Sequence, residues 1–133
     1  MNILKEFMVS NSIDVIVVSD EQIQAAEKNL PFKFDSEYLD YIKTCGQLEY
    51  EYLEFYGLGV SATSHVNVER AYTELSVSKT YPDNSIPVLD LGDGHYALYN
   101  VATKEVLEWC FDGIVGVLAK GLESYLITTL ENV

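Results

Sequence analysis

The sequence predicts an α+β fold: N-terminal helices, then an antiparallel β-meander sheet, then a C-terminal helix packed on the sheet. Three observations predict it. Apolar residues recur at helical spacing, behind capping residues, through the first third of the chain. Period-two alternation replaces them after Gly46, and three apolar runs then follow one another too closely for helical crossovers, so they must pair antiparallel. The last residues return to helical spacing.

Taken in order, residues 2–9 carry Ile3, Leu4, Phe7 and Met8 on one helical face. Asp14 to Val18 is β-branched and reads as a strand or a buried extended segment. Ser19-Asp20 then offers an N-cap to a helix holding Ile23, Ala26 and Leu30, which Pro31 stops. Asp35 or Ser36 caps a second helix with Tyr38, Leu39, Ile42 and Cys45 turned inward. Gly46 stands where a left-handed residue releases the chain.

"QLEYEYLEFYGLGV" alternates Leu48, Tyr50 and Tyr52 against Glu49 and Glu51, then slips phase. This predicts a half-buried strand with a bulge or a tight hairpin. Val66 to Lys79 is read as a helix with a Val68, Ala71, Tyr72 and Leu75 stripe, although Thr73, Val77 and Ser78 form helices poorly. Ile86–Leu91, His95–Val101 and Glu105–Phe111 are the three meander strands. Gly116 to Glu131 is read as the closing helix, with Leu118, Leu122, Tyr125, Leu126, Thr129 and Leu130 on one face. No linker or repeat divides residues 1–133, so one domain is expected.

Gly92-Asp93-Gly94 is the stretch most open to a chemical reading. A phosphate loop needs a helix N-terminus after its glycines, and here a strand follows. A calcium loop needs more oxygen ligands than Asp90 and Asp93 supply at this spacing. Asp-Gly between alternating apolar runs is a hairpin signal, because Gly tolerates positive φ. The stretch is read as a turn.

Neither His65 nor His95 stands in a pattern with Ser, Cys or Asp that would make a triad, and the sequence holds no G-x-S-x-G or H-E-x-x-H. Cys45 and Cys110 lack a CxxC spacing and are read as reduced thiols. No catalytic residue, metal ligand or cofactor site is assigned, and a non-enzymatic protein is expected. With no 18-residue apolar window and no secretory h-region, the chain is expected in the cytoplasm.

Twenty-one Asp and Glu against eight Lys and Arg give a formal net charge of −13. Such a field repels nucleic acid and anionic membranes and speeds encounter with a basic protein. It also serves solubility alone.

The ordered motifs resemble the SUKH superfamily, or Smi/Knr-like domains, over roughly residues 20–131. In the first half they are Leu30-Pro31, Tyr38-Leu39, Ile42, Gly46 and Gly57-Leu58. In the second they are Ile86-Pro87-Val88, Gly92-Asp93-Gly94, Tyr96-Ala97-Leu98-Tyr99 and Val106-Leu107-Glu108-Trp109. Two departures occur: Cys45-Gly46-Gln47 replaces the usual Asn-Gly-Gly, and Tyr99-Asn100 stands where an aspartate is common.

The resemblance implies a binding domain, either a bacterial immunity protein that neutralises a cognate toxin, often a nuclease, or a regulatory or scaffolding module for an endogenous partner. Combined with the charge, it favours an antitoxin that occludes the basic active face of a protein toxin. Glu49, Tyr50, Glu51, Tyr52, Glu54, Tyr56 and Asp93 are the candidate partner-binding residues, since tyrosine offers contact area with few rotors and the chain holds ten. Solvated glutamates and core-packed tyrosines are the competing reading of the same pattern. An enzyme or small-ligand binder using a cleft beside the sheet is the third reading, and an open meander edge would allow a homodimer.

Overall fold

In a computed structural model describing residues 1–133, five helices surround a four-stranded antiparallel sheet and a small two-stranded hairpin. The order is α1 (Asn2–Ser10), α2 (Asp20–Lys28), α3 (Ser36–Cys45), β1 (Glu49–Tyr50), β2 (Leu53–Glu54) and α4 (Val68–Leu75). Then come β3 (Ser85–Gly92), β4 (His95–Asn100), β5 (Val106–Cys110), β6 (Gly113–Ala119) and α5 (Leu122–Glu131).

The helices start where local chemistry satisfies their free N–H groups. Ser19 and Gln22 form a reciprocal capping box on α2. Asp35 accepts from the Tyr38 amide at 3.0 Å to open α3. The same carboxylate accepts from the Tyr99 hydroxyl at 2.6 Å and Lys104 at 2.9 Å, so one residue ties α3 to β4 and to the β4–β5 turn. Two other helices are capped from a distance. Glu37 of α3 accepts from the Leu122 amide at the start of α5, and Glu123 of α5 accepts from the Leu4 amide in α1 at 3.1 Å.

The main core lies between the helices and one face of the sheet. Leu4, Ile23, Tyr38, Ile42, Leu126 and Leu130 pack there with Ile86, Val88, Ala97, Tyr99 and Val106. Leu75, Leu98 and Trp109 form a smaller cluster, with Tyr81 and Tyr96 packed against it. The Trp109 indole N–H donates to the Thr80 carbonyl at 3.1 Å.

The meander runs β3-β4-β5-β6. Its first hairpin settles the Gly92-Asp93-Gly94 question: Gly92 pairs with His95, and Asp93 (φ 55°) and Gly94 (φ 79°) form the two-residue loop. Positive φ at both central residues is the I′ turn expected of Asp-Gly.

Three expectations need correction. The meander has a fourth strand: Gly113–Ala119 is β6, and the closing helix begins only at Leu122. Two glycines and a run of β-branched residues favour extension there, and Leu118, expected on the helical face, lies on the strand. Asp14–Val18 forms no strand and joins no sheet. Its backbone makes a bond from Ile16 N–H to the Cys45 carbonyl, and Val15 and Val17 are exposed rather than buried. The helix expected over 66–79 is confined to Val68–Leu75, bounded by the Asn67 N-cap and by Ser76, beyond which the poor helix formers lie. After Leu48, by contrast, the tight hairpin that the phase slip suggested is formed, with two residues per strand. Tyr50 pairs with Leu53, Glu51 (φ 53°) and Tyr52 make the turn, and Tyr52 is exposed.

Candidate functional site

Two glycines allow the crossing that positions this hairpin. A Cβ on Gly46 (φ 70°) would stand 2.3 Å from the Ile16 carbonyl oxygen, and one on Gly57 would stand 2.1 Å from that of Gly46. Their backbones therefore meet: the Leu58 amide donates to Gly46, and the Val68 amide donates to Gly57. Buried Gln47 spans the hairpin base through its bond to the Phe55 carbonyl at 2.8 Å. Tyr56 follows with both backbone groups fixed. Its N–H donates to Val88 of β3 at 2.9 Å, and its carbonyl accepts from the Tyr41 hydroxyl of α3 at 2.7 Å.

Between this hairpin, the start of α4 and the β3–β4 turn lies a cleft of about 760 Å³. Tyr52, Glu54 and Tyr56 line one side, His65, Arg70 and Glu74 another, and Asp90, Leu91 and Tyr96 the third. Two of its cationic or potentially cationic groups are engaged locally. His65 Nε2 lies 3.0 Å from Glu54, and Arg70 pairs with Glu74 at 3.0 Å while also donating to the Thr63 carbonyl. Asp90 accepts from the Gly92 amide at 2.8 Å and takes part in no ion pair.

Burial pushes the Tyr56 hydroxyl well above its ordinary pKa, and Asp90, Tyr96 and Glu74 add to the shift. Burial, with Asp90 and Glu74, raises Tyr96 in the same direction. Both phenols thus stay protonated at neutral pH. The cleft offers carboxylate acceptors, neutral hydroxyls and aromatic faces, a set that an ammonium or guanidinium group satisfies.

Of the seven candidate residues, the cleft gathers Tyr52, Glu54 and Tyr56. Glu49, Tyr50 and Glu51 line a separate depression of about 530 Å³ beside Asn11, Asp14 and Gln47. Tyr50 is committed there, its ring edge-on to Phe7 at 5.2 Å and its hydroxyl donating to Asn11 at 3.2 Å. Asp93 is exposed at the turn tip and lines neither hollow. Glu49 to Glu51 part from Tyr52, Glu54 and Tyr56 because the chain reverses at Glu51-Tyr52.

Sequence reasoning did not place His65, Arg70, Glu74, Asp90 or Tyr96 in this site. The i,i+4 spacing of Arg70 and Glu74 and the exposed phase of Asp90 on its strand were readable, but their convergence depends on tertiary contacts.

No curated protein matches the chain. A family model described as SUKH_5, SMI1-KNR4 cell-wall, matches residues 2–131, nearly the whole length over which these elements are built. The chain therefore belongs to the SMI1-KNR4 family of the SUKH superfamily.

Proposed function

We propose that this protein is an immunity-type binding domain that neutralises a basic protein toxin, with a nuclease the favoured class, by covering the toxin's cationic active face. SUKH domains are known broadly as immunity- and cell-wall-related domains, and are generally immunity proteins rather than enzymes. The observation that carries the proposal is the cleft. Three tyrosines and three carboxylates converge in it on a chain of net charge −13, and its Arg70 and His65 already have carboxylate neighbours. A nuclease must hold phosphate with lysine or arginine, and an acidic surface rimmed with aromatic rings competes for that face. No helix is long and apolar enough to cross a membrane.

The test is capture followed by protection. Tagged protein and its Asp90→Lys variant are used as bait at low salt and at about 0.5 M, where the Debye length falls to roughly 4 Å. The proposal expects a basic partner held at low salt, weakened by high salt and by Asp90→Lys. Expression of that partner alone should arrest cells, and co-expression of this chain should rescue them. A partner indifferent to both salt and Asp90→Lys, with no toxicity to relieve, would overturn the proposal in favour of a regulatory or scaffolding role.

A further inference from the structure

The second surface of interest is the far edge of the sheet. On the β3 side, the Tyr56 amide already bonds to the Val88 carbonyl and Pro87 supplies no N–H, so that edge is partly closed. β6 is the other terminal strand, and no strand pairs on its outer side. Its side chains are apolar and open to solvent: Ile114 is 56 % exposed, Val115 55 %, Val117 53 % and Leu118 41 %. No charged residue occurs from Gly113 to Ala119, so no side-chain charge guards this edge in a strongly acidic chain.

The order of these residues specifies an occupant. Ile114-Val115-Gly116-Val117-Leu118 reads nearly the same in both directions. A two-fold axis through Gly116 pairs Val115 with Val117 and Ile114 with Leu118 of a second copy, apolar against apolar at each step. Two pairs further out, past Gly113 and Ala119, it sets Asp112 opposite Lys120 at both ends. Both are exposed, and neither takes part in an ion pair within its own chain. Space is also open at the centre, where a Cβ built on Gly116 would meet nothing within 4 Å. An isologous interface requires such self-complementarity, and a patch evolved for an unrelated partner does not.

We infer that β6 is a homodimer interface: two copies join antiparallel about Gly116, closed at each end by an Asp112–Lys120 pair, to make a continuous eight-stranded sheet. This inference is independent of the toxin reading and uses a different edge of the sheet.

The experiment is a charge swap read by sedimentation velocity over a concentration series reaching about 1 mM, the weak limit of specific association. The wild type should associate to dimers. Asp112→Lys and Lys120→Asp should each weaken the dimer about tenfold, since each sets like charges together twice, and the double variant should restore it. Asp112→Lys is the telling case because it lowers the size of the net charge, so general repulsion alone would strengthen association. Circular dichroism verifies that each variant is folded. The two bulges that set β6 against β5, at Val115 and Leu118, are also a known means of guarding an edge. A wild type that stays monomeric throughout would mean that they do so here and would overturn the inference. Association that the double variant fails to restore would overturn it equally.

Discussion

The Tyr38 hydroxyl is the one buried side-chain oxygen or nitrogen without a hydrogen-bond partner. Its ring is well used, 4.7 Å from Phe34 and 5.6 Å from Tyr41 between centroids, while its oxygen is desolvated for no return. Burial, reinforced by Cys45, pushes its pKa far up, the electrostatic sign of the same desolvation. An unsatisfied buried hydroxyl costs about 1–3 kcal/mol. Tyr38→Phe should therefore raise stability by about 1 kcal/mol, seen in a thermal melt as a Tm higher by roughly 4 °C. A lower Tm would show that the hydroxyl is satisfied after all. Tyr41, one turn along, contrasts with it: its hydroxyl is spent on the Tyr56 carbonyl and so helps hold the cleft wall.

At the scale of elements, the crossing of Gly46 and Gly57 is where the fold is least tolerant. Gly57 has an ordinary φ, so its requirement is steric: an added methyl meets backbone atoms of Gly46 and Gln47, which cannot rotate away. Gly57→Ala should cost about 3 kcal/mol or more, measured by urea unfolding. Ala at Gly94 meets no neighbour and carries only the strain of its positive φ, so it should cost less, about 1 kcal/mol.

The elements legible in the sequence were those with local punctuation. Ser19 and Asp35 announced α2 and α3, and Asp93-Gly94 announced the first meander hairpin. β6 was missed because Gly116-Val117-Leu118 runs into α5 with no turn residue except Gly121, and Leu118 falls in helical phase with Leu122. Caps given by Glu37 to Leu122 and by Glu123 to Leu4 span the length of the chain and leave no local trace. The candidate site divides the same way. Tyr52, Glu54 and Tyr56 were visible as an acid–aromatic alternation, whereas Asp90, Glu74 and Tyr96 join them only through the packing of three distant segments.

For the molecule as a whole, buried phenols and a buried thiol set the upper pH limit. Burial pushes Cys45 up to about 12, and it raises Tyr38, Tyr41, Tyr81 and Tyr99 well above their ordinary range. In the unfolded chain a thiol loses its proton near 8.5 and tyrosine near 10. Above those values the unfolded state binds fewer protons than the native state, so stability falls as pH rises. Stability from these groups is complete below about pH 8.5 and should drain away toward pH 12. Absorbance by tyrosinate should rise in two stages, exposed residues first and the buried set together with the loss of circular dichroism. A single titration of all tyrosines with the fold intact would contradict this account.

The strand order has a consequence for valence. The acidic cleft borders β3 and the open edge is β6, with β4 and β5 between them. Three inter-strand steps of about 4.8 Å keep the two surfaces roughly 14 Å apart along the sheet. Occupation of one does not consume the strand edge that forms the other. A pair joined at β6 would carry its clefts at opposite ends, two equivalent grips facing away from each other. Such a pair could bridge two partners or rebind a clustered one before it escapes, giving an avidity that neither cleft has alone.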